Sequence, residues 1–122
     1  MRNVSLNYKD QNGTFCAIKN VNISIKKGEL VSIIGPSGCG KSTLLSLLTG
    51  LAFPSEGYIL LDGKQMHGTG TERGVVFQHY SLFPWMSARK NIIFGLQQVY
   101  KTKSKKDLEE IADKYLAMVG LK

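Results

Sequence analysis

Hydrophobic and polar residues alternate in two runs near the start of the chain. In the first run Val4, Leu6 and Tyr8 alternate with polar residues, and the second run covers residues 21–25. A period of two is typical of a strand that buries one face. Residues 9–13 lie between the runs and end in Asn-Gly, a strong short-range signal for a hairpin. The pattern therefore predicts early antiparallel strands.

Continuous apolar runs in the middle of the chain predict buried elements. The predicted order is a strand at residues 30–34, a helix from Lys41 to Gly50, a strand at residues 58–61, an Asp62-Gly63 turn and a strand at residues 74–77. The helix is apolar over most of its surface, so we expect it to be buried. The last strand shows no alternation, as expected of a strand that is covered on both faces.

Two further helices are predicted in the last third of the chain. Ser87 is a candidate N-cap for the first of them. Ser104 and Asp107 have the spacing of a capping box for the second helix. Its apolar residues follow the helical period from Leu108 onward, and Gly120 is a plausible stop.

A glycine-rich stretch between the strand at residues 30–34 and the helix carries the chemistry. It matches the pattern G-x-x-x-x-G-K-[ST], and its residues are Gly35, Pro36, Ser37, Gly38, Cys39, Gly40, Lys41, Ser42 and Thr43. Glycines allow backbone N–H groups to point inward, and the helix adds the positive end of its dipole. In such a loop the lysine reaches the β- and γ-phosphates and the Ser42 hydroxyl binds Mg²⁺. We therefore predict a nucleotide-phosphate site.

Composition narrows the class of protein. The 122 residues are 43% hydrophobic and carry a net charge of +7, which suits one modest domain. There is no apolar run of membrane-spanning length and no signal-peptide pattern at the start, so we expect a cytosolic chain. Cys16 and Cys39 have neither zinc-site nor disulfide-framework spacing.

The segment from Arg89 to Lys106 contains basic residues and no acidic residue. A solvated helix surface and loop is the first interpretation, and anionic lipid headgroups near a membrane partner come second. Nucleic acid comes last, because the basic residues lack the interleaved aromatic platforms on which bases stack. We therefore predict no nucleic-acid partner.

Several features together resemble the ATP-binding subunits of ABC transporters. They are Tyr8, the phosphate loop, the Glu56-Gly57 and Leu61-Asp62-Gly63 hairpin, and the run Gly74-Val75-Val76-Phe77-Gln78. Residues 68–95 look most like the nitrate/sulfonate/taurine branch of bacterial importers. The resemblance implies an α/β P-loop NTPase fold. Residues 1–86 would form an antiparallel β subdomain and the P-loop strand-helix core, and residues 87–122 would begin the helical subdomain.

The resemblance also implies roles for particular residues. Tyr8 matches the aromatic residue that stacks on adenine, and Gln78 matches the glutamine that contacts Mg²⁺ and the attacking water. Lys41 and Gln78 would then be catalytic, Ser42 and Gln78 would bind the metal, and ATP and Mg²⁺ would be the ligands. Leu82 to Trp85 would meet a transmembrane permease subunit. A second ATP-binding subunit would complete a dimer on the cytoplasmic face of the membrane.

The resemblance covers only the first half of such a domain. The signature loop, the acidic strand with its catalytic glutamate and the switch histidine lie further along in the family, and neither His67 nor His79 matches the switch position. Asp62 lies in a hairpin, not at the end of an apolar strand. We therefore expect a truncated chain that binds ATP but is not competent in hydrolysis alone. A nucleotide-binding or decoy module is the alternative function, and a small P-loop kinase or GTPase lacks supporting motifs.

Overall fold

A computed structural model describes residues 1–11, 13–79 and 81–121 of the protein. Its contacts divide the chain into two compact units, Met1–Val75 and Val76–Lys122. Each unit is considered by itself below. The division into subdomains at residue 87 stays a prediction.

The first unit is built around an antiparallel hairpin. Its elements are β1 (Arg2–Asp10), β2 (Gly13–Val21), α1 (Lys41–Thr49), β3 (Glu56–Tyr58), β4 (Leu60–Leu61) and β5 (Lys64–Gln65). β1 lies between β2 and β3 in one sheet, and β4 pairs with β5 in another. The predicted hairpin is confirmed because Asp10 pairs with Gly13, but Lys9, Asp10 and Gly13 belong to the strands and not to the turn, and Asn12 lies outside the described residues.

The second predicted strand is only partly correct. The alternating run at residues 21–25 suggested a strand there, but β2 ends at Val21. Ile23 still exchanges backbone hydrogen bonds with Met1, at 3.3 and 2.8 Å. Residues 24 and 25 lie beyond these bonds and belong to no strand.

The core of the first unit lies between the sheet and α1. The buried cluster consists of Val4, Leu6, Ile18, Leu44, Leu47 and Ile59. Gly50 ends α1 with a φ of 79°, so the predicted helix end is confirmed. The expectation that the whole helix is buried is wrong, because Leu45 remains 52% exposed while Leu47 is completely buried. The helix therefore covers the sheet with one face only.

The apolar runs at residues 30–34 and 74–77 do not form the predicted strands. Within residues 1–11, 13–79 and 81–121, neither run belongs to a strand. Val76 is 101% exposed, so the expected burial of residues 74–77 on both faces is also wrong. Leu30 and Ile34 in the other run are 95% and 93% exposed. A parallel strand is buried only when neighbouring strands pair with it and helices cover both faces. The described residues supply such pairing only to the antiparallel strands.

The second unit is a helical hairpin. α2 (Ala88–Val99) and α3 (Lys105–Met118) pack against each other and are connected by a short loop. The Ser87 hydroxyl accepts a hydrogen bond from the Lys90 N–H at 3.3 Å, and Ser104 and Asp107 form both bonds of the capping box. Both predicted caps are therefore confirmed. Across the part of the chain that the structure describes, every helix is too short or too polar to cross a bilayer.

Candidate nucleotide-binding site

The glycine-rich loop has the backbone that its sequence predicts. Gly38 and Gly40 have φ angles of 77° and 96°, values that residues with a Cβ rarely adopt. The Leu44 N–H donates to the Gly40 carbonyl at 2.8 Å and opens α1. Gly40 is also the N-cap, and no side chain caps the helix. The first N–H groups of α1 are therefore available to an anion.

The Lys41 ammonium lies against the loop that precedes it. Its Nζ donates to the carbonyl of Gly35 at 2.8 Å and to that of Pro36 at 2.6 Å, and it is 3.7 Å from the Cys39 sulfur. These bonds fold the side chain back over the loop instead of out into solvent. A positive charge is thus held against the loop that precedes α1.

The loop rests on β2. A methyl group on Gly40 would approach the Ala17 carbonyl oxygen to 3.1 Å and the Ile18 side chain to 3.6 Å. The end of the phosphate loop therefore packs closely on the second strand of the hairpin. Since β2 pairs with β1, the same hairpin carries Tyr8.

Tyr8 lies opposite Phe15 in the hairpin, and both rings are exposed, by 47% and 65%. Paired residues of an antiparallel sheet point to the same face, so the hairpin presents two aromatic side chains side by side. Phe15 was missed in the sequence analysis. A two-residue Asn-Gly turn would instead place Ala17 opposite Tyr8, so the turn signal alone does not give this pairing.

The helix start suits a phosphate-bound Mg²⁺. Ser42 is exposed in the first turn of α1, and its carbonyl accepts from the Ser46 hydroxyl at 2.9 Å, so the turn is well held. Among the described residues no cluster of three or more His, Cys, Asp or Glu could hold a metal ion by itself. Mg²⁺ commonly takes few protein ligands and completes its shell with phosphate oxygens and water. The Ser42 hydroxyl fits that pattern.

The remaining predicted residues belong to the second unit. Gln78 is exposed there, whereas Lys41, Ser42 and Tyr8 lie in the first unit. The structure thus brings the phosphate loop and the Tyr8 hairpin together within one unit. The predicted role of Gln78 stays a prediction, and so do the ligand contacts of the other residues.

The side chains of the predicted permease-contacting segment, Leu82 to Trp85, differ in exposure. The amide of Asn91 holds Phe83 in place: its Oδ1 accepts from the Phe83 N–H at 2.8 Å and its Nδ2 donates to the Phe83 carbonyl at 3.2 Å. The Phe83 ring lies 5.1 Å from that of Phe94. Leu82 and Trp85 remain 63% and 74% exposed. Phe83 therefore packs under the helix, and its neighbours face solvent.

An antiparallel hairpin followed by a G-x-x-x-x-G-K-S loop and its helix defines the class, a P-loop nucleotide-binding domain. The family model described as ABC transporter matches residues 18–122. The chain belongs to the ABC transporter family.

Relatives in the curated proteins agree with this assignment. A nitrate import ATP-binding protein of Synechocystis sp. is 50% identical over 109 residues, which are 89% of this chain and 40% of the relative. An uncharacterized ABC transporter ATP-binding protein of Methanocaldococcus jannaschii is 49% identical over 105 residues, 86% of this chain and 39% of the relative. A bicarbonate transport ATP-binding protein of Synechococcus elongatus is 44% identical over 107 residues, 88% of this chain and 16% of the relative.

Solved structures give the same fold. A dimeric ATP-binding cassette in a post-hydrolysis state, bound to ADP and Pi, is similar with a TM-score of 0.83 and 34% identity. That similarity covers 99% of this chain and 56% of the cassette. The chain thus spans about two fifths of the first two relatives' length and little more than half of this cassette.

Proposed function

We propose that the chain binds Mg·ATP as part of the energy-coupling ATPase subunit of a bacterial importer of the nitrate/sulfonate/taurine type. The observation that carries the proposal is the Lys41 ammonium, held against the loop by the carbonyls of Gly35 and Pro36. An incoming polyphosphate would meet this charge together with the uncapped N–H groups of α1. The nitrate and bicarbonate relatives support the importer type. The transported solute depends on the other subunits.

Each predicted residue has a physical role in this proposal. Lys41 would neutralise charge on the β- and γ-phosphates, and the Ser42 hydroxyl would bind Mg²⁺, which when present withdraws further charge from the phosphate oxygens. Tyr8 would stack on adenine through its exposed ring. Gln78 would orient water and contact the metal.

The partners of the proposal are a transmembrane permease and a second ATP-binding subunit. Leu82 and Trp85 are large apolar side chains exposed in one loop, which is costly unless another surface covers them. We propose that a permease subunit does so, which would place the chain at the cytoplasmic face of the membrane. The similar cassette is dimeric, which supports the proposal of a second ATP-binding subunit.

A second candidate function is nucleotide binding without hydrolysis. Phosphoryl transfer to water is helped by a carboxylate that accepts the proton. Asp62 lies in the turn between β4 and β5, and the Glu72 carboxylate is ion-paired with Arg73 at 3.0 Å. Asp62 follows the short strand β4 in a tight hairpin turn and Glu72 is already ion-paired, so we propose that this chain alone turns over ATP no faster than a variant without Lys41.

Nucleotide binding is tested by titrating a fluorescent ATP analogue against the chain and its Lys41→Ala variant. A unit charge near phosphate is worth a few kcal/mol before screening. We therefore expect Lys41→Ala to weaken binding by about tenfold or more. Lys64→Ala removes the same charge from the exposed β5 strand and serves as the matched control. Equal affinities of the Lys41→Ala and Lys64→Ala variants would contradict the proposed site.

Steady-state phosphate release in the same samples separates the two functions. Missing general-base catalysis typically costs about 10²–10⁴-fold in rate. Binding with turnover no higher than that of Lys41→Ala supports the non-hydrolysing function for this chain alone. Turnover clearly above Lys41→Ala would instead mean that an acid of this chain, Asp62 or Glu72, accepts the proton.

A further inference from the structure

The basic residues between Arg89 and Lys106 separate into two places in the structure. Arg89 forms two hydrogen bonds with Asp113, Nε to Oδ1 at 2.6 Å and Nη2 to Oδ2 at 2.8 Å, so its charge is paired. Arg89 lies in the first turn of α2, about 15 Å of helix away from the end at Val99. Four lysines lie beyond that end, in the α2–α3 connection and the first turn of α3. We call residues 100–106 the lysine loop.

The lysine loop has little acidic compensation. All seven of its residues are exposed. Lys105 is paired with Glu109 at 4.0 Å, but its side chain is 87% exposed, so the pair is weak. The Asp107 carboxylate accepts hydrogen bonds from the Ser104 N–H and hydroxyl, at 3.1 and 2.8 Å, and serves as a helix cap. The loop therefore presents four ammonium groups beside two carboxylates, of which Asp107 caps the helix and Glu109 is only weakly paired with Lys105.

Apolar surface adjoins the charge. Val99 and Tyr100 are 52% and 41% exposed where α2 meets the loop. The Lys103 ammonium lies 5.4 Å from the centroid of the Tyr100 ring. This contact occupies a face on which a nucleic-acid base would stack. A tyrosine beside lysines is instead the combination that suits the boundary between water and lipid.

The framework around the loop is well held. Tyr100 caps α2 by donating its N–H to the Leu96 carbonyl at 2.8 Å, and the capping box of Ser104 fixes the start of α3. The lysine loop is therefore displayed at one end of a capped helical hairpin. Its charges sit on long flexible stems, which suit a diffuse negative surface better than a stereospecific phosphate site, where arginine forks are preferred.

We propose that the lysine loop binds the anionic lipid surface of a membrane. Each lysine near such a surface strengthens binding roughly fivefold, so four lysines supply a factor of order 10²–10³. The attraction falls when salt shortens the Debye length from about 10 Å at 0.1 M to about 3 Å at 1 M. The proposal does not depend on nucleotide binding, since it uses only residues of the second unit.

Co-sedimentation of the full chain with lipid vesicles tests the proposal. One vesicle is phosphatidylcholine alone, and the other mixes it with phosphatidylserine in a ratio of about seven to three, which gives a negative surface potential. The loop variant combines Lys101→Gln, Lys103→Gln, Lys105→Gln and Lys106→Gln. The matched control loses the same charge elsewhere through Lys19→Gln, Lys26→Gln, Lys27→Gln and Lys64→Gln. A mixed-sequence single-stranded oligonucleotide replaces the vesicles in a parallel assay.

We expect the chain to sediment with the phosphatidylserine vesicles at low salt and to dissociate at high salt. The loop variant should lose on the order of 10²-fold in affinity, whereas the control should lose less than about tenfold. Equal losses in the two variants would overturn the proposal, because net charge alone would then explain binding. Absence of vesicle binding would overturn it as well, and oligonucleotide binding lost only in the loop variant would then assign the surface to nucleic acid. Circular dichroism confirms that the variants keep their helices, and the salt dependence of the unaltered chain tests the proposal without any substitution.

Discussion

Substitution of Gly50 by alanine tests how the phosphate-loop helix is held in the first unit. Gly50 ends α1 with a φ of 79°, and its Cβ would overlap the Gly68 carbonyl. That carbonyl cannot move away easily, because it accepts a 2.6 Å hydrogen bond from the Arg73 guanidinium. Gly63 is a matched control, since its φ is 78° and a methyl group there would meet nothing within 4 Å.

The two variants separate backbone strain from steric overlap. Alanine in the left-handed region costs about 1–2 kcal/mol, offset by about 0.4–1 kcal/mol from the stiffer unfolded chain. We therefore expect Gly63→Ala to lower the free energy of unfolding by about 1 kcal/mol. Gly50→Ala carries the same strain and a further overpacking cost of about 1–3 kcal/mol.

Urea denaturation followed by circular dichroism measures both free energies of unfolding. The domain is expected to have marginal stability, so a loss of about 2–4 kcal/mol should also weaken nucleotide binding at moderate urea. Equal destabilisation by the two substitutions would refute the steric argument. It would mean that the segment containing Gly68 does not pack against the end of α1.

Two further predictions concern the chemical labelling of Cys39 and the dependence of helix content on pH. Maleimide should label the exposed Cys39, and bound Mg·ATP should protect Cys39 from labelling, as measured by mass spectrometry of the peptides. Labelling of Cys16 should stay unchanged, because Cys16 neighbours Phe15 on the strand and so faces the opposite side of the hairpin. The Arg89 hydrogen bonds lower the pKa of Asp113, so their contribution to stability is complete above the carboxyl's ordinary pKa of about 4 and is lost as the pH falls through the lowered value. Helix content should therefore fall with decreasing pH more steeply in the unaltered chain than in the Asp113→Asn variant. The control variant Asp62→Asn should behave like the unaltered chain. Acid titration curves of the same slope for the unaltered chain and Asp113→Asn would contradict the prediction.

The local elements were predictable because their signals are local. The Asn-Gly turn, the caps at Ser87 and Ser104, and the helix end at Gly50 each depend on a few neighbouring residues. The phosphate loop is similar, since its glycines and Lys41 act through the backbone of the same short segment. The family could be named from sequence for the same reason.

Tertiary structure decided what those segments contact. Residues 30–34 and 74–77 have the apolar composition of buried strands, but a strand exists only when another strand pairs with it, and composition does not state whether that partner is present. Only the strand register shows that Phe15 lies opposite Tyr8. Only the packing of α3 shows that the charge of Arg89 is paired with Asp113. Sequence alone therefore determined the glycine-rich loop and the helix that follows it. Pairing across the sheet and between the helices determined which charges and aromatic rings remain available, because those contacts join residues far apart in the chain.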